Sequence, residues 1–203
     1  MTFMQVLESR RAVKSYAPDS NLSDADVADL LAAATLTPTS FNIQHWRFVV
    51  VRNQAKRQQI RTAAWDQAQV TDAGLLLVVC ADVQAWAKKP ERYWANAPQE
   101  VQDMLVSMIG QFYDGHAQLQ RDEAMRTAGL VAQTIMLKAT DMGYDSCPMI
   151  GFDAGRVAEI INLPTDHVIG MMIAVGRKAA DAKTKPSILP LSEVTVVDRF
   201  WVH

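Results

Sequence analysis

The chain has 203 residues, of which 49% are hydrophobic and 21% are charged, and its net charge is -2. These values predict one folded domain over residues 1–203 and exclude a disordered chain. The near-neutral charge argues against a general nucleic-acid binder, because such domains are basic over a whole face. Two widely separated cysteines and an amino terminus without a long apolar core predict a reducing, cytoplasmic location. No apolar stretch is long enough for a membrane-spanning helix, so no membrane association is expected.

The first predicted element is a short helix over residues 3 to 11, with apolar side chains at helical spacing. It carries Arg10 and Arg11 at its end, and on a continued helix Lys14 would lie beside both. Like charges this close repel one another unless they extend into solvent or surround an anion. The residues alone leave two interpretations open: an anion site, or a solvated helix end that complements the negative carboxyl-terminal pole.

A polar segment, which we call the shelf (residues 37–46), follows a helix that Ser23 caps and precedes a strand predicted over residues 47–52. Its neutral donors and acceptors suit a ligand with alternating hydrogen-bonding edges better than a bare phosphate or a metal. The alternative is a helix-to-strand connection whose polar residues only satisfy their own backbone. The donors and acceptors are Thr39, Ser40, Asn42 and Gln44.

Helices and strands alternate after the shelf. The pattern predicts a helix over residues 54–66 with a solvated cationic face, a buried strand over 74–81 and a third strand over 168–175. A long helix is predicted over residues 122–142, and its broad face of small apolar residues implies close helix packing. Another helix begins after Asp153, which caps it. The cationic face of the helix over residues 54–66 consists of Lys56, Arg57 and Arg61.

Three further observations bear on function. Residues 86–112 scatter aromatic side chains among prolines and charges, and these either fill the core or form a subunit interface. The tail becomes apolar again over residues 191–201, ending with Phe200 and Trp201, and must dock on another surface. The four histidines form no metal-binding pair, and no Ser or Cys nucleophile with a local base is visible. That absence fits an enzyme whose chemistry belongs to a cofactor.

Four motifs, in this order and covering nearly the whole chain, resemble those of the nitroreductase family of flavin enzymes. The first is the basic motif at the amino terminus, and the second reads Pro-Thr-Ser-Phe-Asn-Ile-Gln-His-Trp where the family has Pro-Ser-Ser-x-Asn-x-Gln-Pro-Trp. His45 thus replaces the usual proline, and Ser187 stands where many members carry a second basic residue. The matching stretches are residues 9–16, 38–48, 142–153, and 173–176 followed by 185–194.

The resemblance implies an α+β fold with a central, mostly antiparallel sheet flanked by helices. It implies a homodimer that pairs its long central helices, exchanges its carboxyl-terminal tail and binds one FMN per interface. NAD(P)H would reduce nitroaromatics, quinones or similar small electron-poor acceptors in a ping-pong cycle that needs no catalytic side chain. Residues 86–112 would then be a wall or lid of the substrate pocket. The alternatives are a superfamily reductase that acts on short aldehydes or enals or removes halogens, and a non-enzymatic flavin-binding protein.

The cofactor-binding residues that the resemblance implies fall into three groups. The cations of the first motif would hold the FMN phosphate and ribityl chain, helped by Lys185. In an alternative arrangement, Arg11 would lie at the pyrimidine edge and stabilise the anionic reduced ring. The shelf contacts the ring and the ribityl hydroxyls from the other subunit. The stretch around Cys147 packs against the opposite side of the ring, with the thiol inert. The full set is Arg10, Arg11, Ala12, Lys14, Thr39, Ser40, Asn42, Gln44, Cys147, Pro148, Met149, Ile150, Gly151, Lys185 and Ser187.

Overall fold

The computed structural model describes residues 1–18 and 20–200, and the predicted docking residue Trp201 lies outside them. At its centre is an antiparallel sheet of four strands in the order β1-β2-β4-β3. Every residue of β2 is buried, as the unbroken apolar pattern predicts for a central strand. The strands are β1 (Trp46–Val50), β2 (Leu75–Asp82), β3 (Asp145–Met149) and β4 (His167–Gly176).

Helices cover both faces of the sheet, which confirms the predicted fold class. Both predicted caps are present: the Ser23 side chain accepts from the backbone N–H of Asp26, and the Asp153 side chain accepts from that of Arg156. Within the described residues, three short 3-10 helices lie at Ser40–Asn42, Ala85–Ala87 and Pro90–Trp94. The α-helices of the described residues are α1 (Phe3–Ser9), α2 (Asp24–Ala34), α3 (Gln54–Ala63), α4 (Gln69–Asp72), α5 (Gln99–Tyr113), α6 (Ala117–Asp141), α7 (Ala154–Ile161) and α8 (Leu191–Val194).

The core has two layers because successive side chains of β2 point to opposite faces. Leu76 and Val78 pack with α3 and α7, whereas Leu77 and Val79 pack with α2 and α6. The small residues of α6 allow the close approach that the sequence predicts. A Cβ atom built on Gly170 of β4 would lie 2.4 Å from the Cβ of Ala128, so the helix rests directly on the strand.

The helix predicted over residues 54–66 is shorter than expected, and its cationic face is not wholly solvated. Helix α3 ends at Ala63, because Trp65 and Asp66 adopt the left-handed conformation. The prediction of a solvated cationic face is wrong for Arg57. This residue is buried, and its Nε donates to the carbonyl of Val51 at 2.8 Å. Three backbone carbonyls are satisfied by this guanidinium, which explains why a cation can be placed in the interior.

Two other boundaries differ from the sequence predictions. Helix α1 ends at Ser9, so residues 10–18 do not continue as a helix. They run extended along the outer side of β3: Ala12 forms a parallel bridge with Ser146, and the backbone N–H of Val13 donates to the Ser146 carbonyl at 3.0 Å. The long helix α6 begins at Ala117, five residues before the predicted start.

The carboxyl-terminal tail carries apolar side chains that are not covered by this chain. Ile188, Leu191, Val197 and Phe200 are each 77 to 82% exposed. None of the helices within residues 1–18 and 20–200 combines the length and apolarity that crossing a bilayer requires. The tail thus exposes several apolar side chains, and its docking on another surface stays a prediction.

Candidate functional site

A cavity of about 590 Å³ lies between the extended amino-terminal segment and the tail, and we call it the basic cavity. Five cations line it, against one carboxylate, and that carboxylate, Asp181, lies 2.7 Å from the ammonium of Lys178. Within the described residues, none of the five forms an ion pair with a carboxylate. They are Arg10, Arg11, Lys14, Lys183 and Lys185.

The pairing of the extended segment with β3 positions these cations. It brings Arg10 and Lys14 near Cys147, where burial raises the pKa of the thiol while the two positive charges lower it. The guanidinium of Arg11 donates to the carbonyl of Lys183 and so ties the segment to the tail. The cavity has walls from two distant parts of the chain, and both walls are positively charged.

The predicted residues of the first and fourth motifs meet here. Ala12 and Ser187 line the basic cavity together with the predicted cations. The helical proximity of Arg10 and Lys14 proposed from the sequence is wrong, because the segment is extended. The two side chains reach the cavity from one extended strand of chain instead, which keeps them on the same wall.

The predicted stretch from Cys147 to Gly151 lies next to the cavity wall but does not line it. Cys147 and Met149 are buried in the core, whereas Ile150 is 80% exposed. The carbonyl of Gly151 accepts from the Gln67 side chain at 2.7 Å. In one chain this stretch is thus half core and half surface, with Ile150 and Pro148 on the accessible side. Its role in binding a cofactor stays a prediction.

The shelf has an unusual backbone. Phe41, Asn42 and Gln44 all have positive φ, between 48° and 54°. Such conformations cost on the order of 1 kcal/mol each for residues other than glycine, so other contacts must hold them. The Thr39 hydroxyl accepts from the backbone N–H of Gln44 at 3.1 Å, and the Asn42 amide donates to the Tyr93 carbonyl at 2.9 Å.

Aromatic packing holds the shelf from the other side. The ring of Phe41 lies 5.6 Å from that of Phe112 and 6.3 Å from that of Tyr113, both at the end of α5. Phe112 packs on the shelf although it is 44% exposed, whereas Tyr93 is buried in a cluster with Ile43 and Tyr113, which agrees with a core role for part of the aromatics. The backbone outliers are fixed by hydrogen bonds and by ring contacts, as expected of a preorganised surface.

The shelf faces a second cavity, of about 500 Å³, which we call the shelf cavity. Asn42 and Gln44 line it, but Thr39 and Ser40 do not. The shelf cavity and the basic cavity have no lining residue in common. The structure of one chain thus brings the first and fourth motifs together and leaves the shelf apart from them, as a site shared between two subunits would require.

Sequence reasoning did not name Lys183 at the basic cavity or Arg92 at the shelf cavity, although it expected residues 86–112, which contain Arg92, to form a pocket wall or lid. The alternation Lys183-Thr184-Lys185 could have indicated the first, because alternate residues of an extended segment share a side. Nothing in the sequence pattern marks Arg92, which the 3-10 helix Pro90–Trp94 places beside the shelf.

Comparison with known proteins gives this arrangement a family. Residues 7–177, which include the basic segment, the shelf and the whole sheet, match the nitroreductase family. The chain belongs to the nitroreductase family. Among its relatives, Protein DrgA of Synechocystis is 48% identical over 99% of this chain and 98% of its own. MhqN of Bacillus subtilis, provisionally named an NAD(P)H nitroreductase, is 29% identical over 89% of this chain and 91% of its own.

Solved structures of the family have the same fold. The ydfN protein of Bacillus subtilis superposes with a TM-score of 0.91 at 29% identity, covering 96% of this chain and 97% of its own. A protein from Exiguobacterium sibiricum, solved in complex with FMN, has a TM-score of 0.89 at 27% identity and covers 97% of both chains. The match extends beyond residue 177 and includes most of the tail.

Proposed function

We propose that this nitroreductase is an FMN-dependent oxidoreductase that uses NAD(P)H to reduce nitroaromatics, quinones or similar small electron-poor acceptors. The FMN in the Exiguobacterium structure supports this cofactor, and the name given to MhqN supports this reductant. When bound, FMN supplies the hydride chemistry in a ping-pong cycle, so that no side chain need act as an acid. The protein supplies binding, orientation and exclusion of competing reactions.

The observation that carries the proposal is the excess of positive charge in the basic cavity. Five cations face one carboxylate that is already paired with Lys178. Unpaired like charges in one cavity are unfavourable unless an anion offsets them. A phosphate monoester carries about −1.5 to −2 charges near neutral pH and fits this donor set well.

The roles of the cavity residues follow from their positions. Arg10 and Lys14 bind the phosphate from one wall, and Lys183 with Lys185 binds it from the other. Lys183 supplies the second tail cation that the serine at position 187 does not. Arg11, held by the Lys183 carbonyl, either joins the phosphate site or reaches the pyrimidine edge.

A homodimer completes the site in this proposal. The shelf of one subunit, with Ser40, Asn42 and Gln44, contacts the flavin that the partner's basic cavity holds. The exposed apolar tail crosses to the partner and is buried there. A single domain over residues 1–203 and a cytoplasmic location, in which Cys80 and Cys147 remain reduced thiols, belong to the same proposal.

The test compares binding of FMN with binding of riboflavin, which lacks the phosphate. Arg10→Gln and Lys14→Gln should each weaken FMN binding by about tenfold, since both groups are partly exposed and each removes a charge-assisted contact. Riboflavin binding should change by less than about twofold. Arg121→Gln is the matched control, because it removes an exposed cation from α6, remote in sequence from either wall.

Equal losses for FMN and riboflavin would mean that the cations support the fold and do not bind the phosphate. Initial rates with NADH, NADPH and a panel of nitroaromatics, quinones, enals and halogenated aromatics then identify the acceptor class. Parallel lines in double-reciprocal plots are expected for the ping-pong cycle. Negligible turnover with every pair would favour a flavin-binding protein without reductase activity.

A further inference from the structure

Arg92 and Arg47 lie on the open side of the shelf and line adjoining cavities. The shelf cavity and a neighbouring cavity of about 450 Å³ share Gln44, Arg92 and Tyr93 as lining residues. Arg47 belongs to the second cavity. Among the described residues that line the two cavities, none is an aspartate or a glutamate. The pair of cavities is therefore a polar surface of one charge sign, next to the shelf that the proposed function assigns to the flavin.

Arg92 is held in a defined position without a carboxylate partner within residues 1–18 and 20–200. Its guanidinium lies 4.8 Å from the centroid of the Tyr93 ring and donates to the Tyr93 hydroxyl at 2.8 Å. That hydroxyl in turn donates to the carbonyl of Ala85 at 2.9 Å, so Tyr93 is itself fixed. A preorganised guanidinium loses little entropy on binding an anion.

Arg47 is a second guanidinium beside the shelf, and it is paired with a buried carboxylate. Nη1 donates to the carbonyls of Trp46 and Gln44 at 2.7 and 3.2 Å, and Nη2 lies 3.3 Å from Asp82. The buried Asp82 also lies 2.8 Å from the ammonium of Lys88, which in turn lies 2.6 Å from Asp166, so two cations and two carboxylates form one network. The hydrogen bonds to the shelf carbonyls orient the guanidinium of Arg47 beside Gln44.

Neutral groups around Arg92 suit a planar ligand that carries an anionic substituent. Asn42 and Gln44 offer amide donors and acceptors, and the indole of Trp94 lines the same cavity. An aromatic wall with amide groups and an arginine is the composition expected for a site that binds a ring and its charged group together.

We propose that Arg92, with Arg47 beside it, binds an anionic group, a phosphate or a carboxylate, on the molecules that exchange hydride with the flavin. This inference rests on the proposed function, because it assigns a substrate class to the same site. The anionic group has two sources: the 2′-phosphate that distinguishes NADPH from NADH, or a carboxylate on the acceptor.

Two ligand pairs separate the sources, with dissociation constants measured by calorimetry on the protein as purified with its flavin. NADP⁺ and NAD⁺ differ by one phosphate, and para-nitrobenzoate and para-nitrobenzamide differ by one charge. The native protein should prefer the anionic member of at least one pair by about tenfold, the size expected for one charge-assisted contact that is partly exposed. A preference within the dinucleotide pair alone identifies the reductant, and one within the nitro pair alone identifies the acceptor.

The Arg92→Gln variant should abolish this preference while changing binding of the neutral or phosphate-free member by less than about twofold. Arg92→Lys should keep part of the preference, because it keeps the charge and loses the planar fork. Lys89→Gln is the matched control: it removes an exposed cation three residues away that lines neither cavity. The preference should also fall as ionic strength rises.

Three results would overturn the inference: no preference in either pair, equal losses for both members of a pair in Arg92→Gln, or loss of FMN from that variant. The last would assign the cavity to the cofactor. The test is independent of turnover. A protein that shows the preference but never oxidises NAD(P)H would contradict the proposed function alone, and an active reductase without the preference would contradict this inference alone.

Discussion

His45 is a fully buried imidazole at the end of the shelf, where the nitroreductase motif has proline. Its Nδ1 lies 3.2 Å from the hydroxyl of Thr127 on α6, and its Nε2 has no hydrogen-bond partner among the described residues. Burial lowers the pKa of His45 from 6.5 to about 4, with a smaller opposing effect from Asp82 and a reinforcing one from Arg47. The imidazole is therefore neutral at pH 7 and ties the shelf to the long helix.

The depressed pKa predicts how stability depends on pH. Between about pH 6.5 and pH 4 the unfolded state binds a proton at His45 and the folded state does not, so stability falls as the pH is lowered. From pH 7 to about pH 4.5 the native protein should lose about 2 kcal/mol more unfolding free energy than His45→Asn, which keeps a partner for Thr127 but cannot titrate. Denaturant unfolding at equal protein concentration measures this, and parallel losses in the two proteins would contradict it.

Arg57 is a second buried residue, and it contributes to stability through buried hydrogen bonds and not as a surface charge. Its guanidinium is the partner of the carbonyls of Val51, Ala73 and Gly74, and burial lowers its pKa. Arg57→Met should lower the unfolding free energy by about 2 to 4 kcal/mol, because it leaves buried carbonyls without donors. Lys56→Met removes the neighbouring exposed cation and should cost less than about 0.5 kcal/mol. Similar midpoints in denaturant for the two variants would contradict the structural role of Arg57.

At the scale of elements, helix α6 is positioned by its close approach to the sheet. A methyl group added at Gly170 would meet Ala128 at 2.4 Å and must push the helix outward. Gly170→Ala should destabilise the protein by about 1 to 3 kcal/mol. Gly110→Ala, in α5, meets nothing within 4 Å and should stabilise by about 0.4 to 1 kcal/mol because it lowers the entropy of the unfolded chain. Thermal unfolding of both variants measures these changes in stability. A Gly170→Ala variant as stable as the native protein would contradict the tight packing.

The sequence predicts the elements whose pattern is strong. The apolar run of β2, the capped helices α2 and α7, and the small-residue face of α6 are all confirmed, because each is decided by residues close together in the chain. Strand β3 escapes prediction because Pro148 interrupts it and its composition has low β-propensity. It is stable because β4 pairs on one side and Ala12 on the other. Those partners are more than 20 residues away from it in sequence.

In the candidate site too, only the features that depend on residues close together in the chain could be predicted. The cations of the first motif and the polar residues of the shelf could be identified from the sequence, because their order resembles the family's. The excess charge of the basic cavity could not, since it depends on the tail lying against an extended segment instead of a helix. The position of Arg92 beside the shelf likewise could not be predicted, because it depends on the contact of its guanidinium with the Tyr93 ring.

At the scale of the whole molecule, the two cavities and the exposed tail predict a dimer. The triple variant Leu191→Ser, Val197→Ser, Phe200→Ser removes exposed apolar groups that the proposed tail exchange would bury. It should shift the sedimenting species from dimer towards monomer and release FMN, because each site would lose the partner's shelf. The matched control, Glu193→Gln with Thr195→Ser and Asp198→Asn, should leave both properties unchanged. A native monomer that retains FMN would contradict the shared site.

The first measurement to make is the visible absorption spectrum of the purified protein, recorded without oxygen before and after NADH or NADPH is added. The bands of oxidised flavin should be present, should bleach with one or both reductants, and should return when a quinone or nitroaromatic is added. Absence of the bands even after incubation with FMN would contradict the assignment of the basic cavity to the FMN phosphate. Bands that persist with both reductants would contradict the reductase activity.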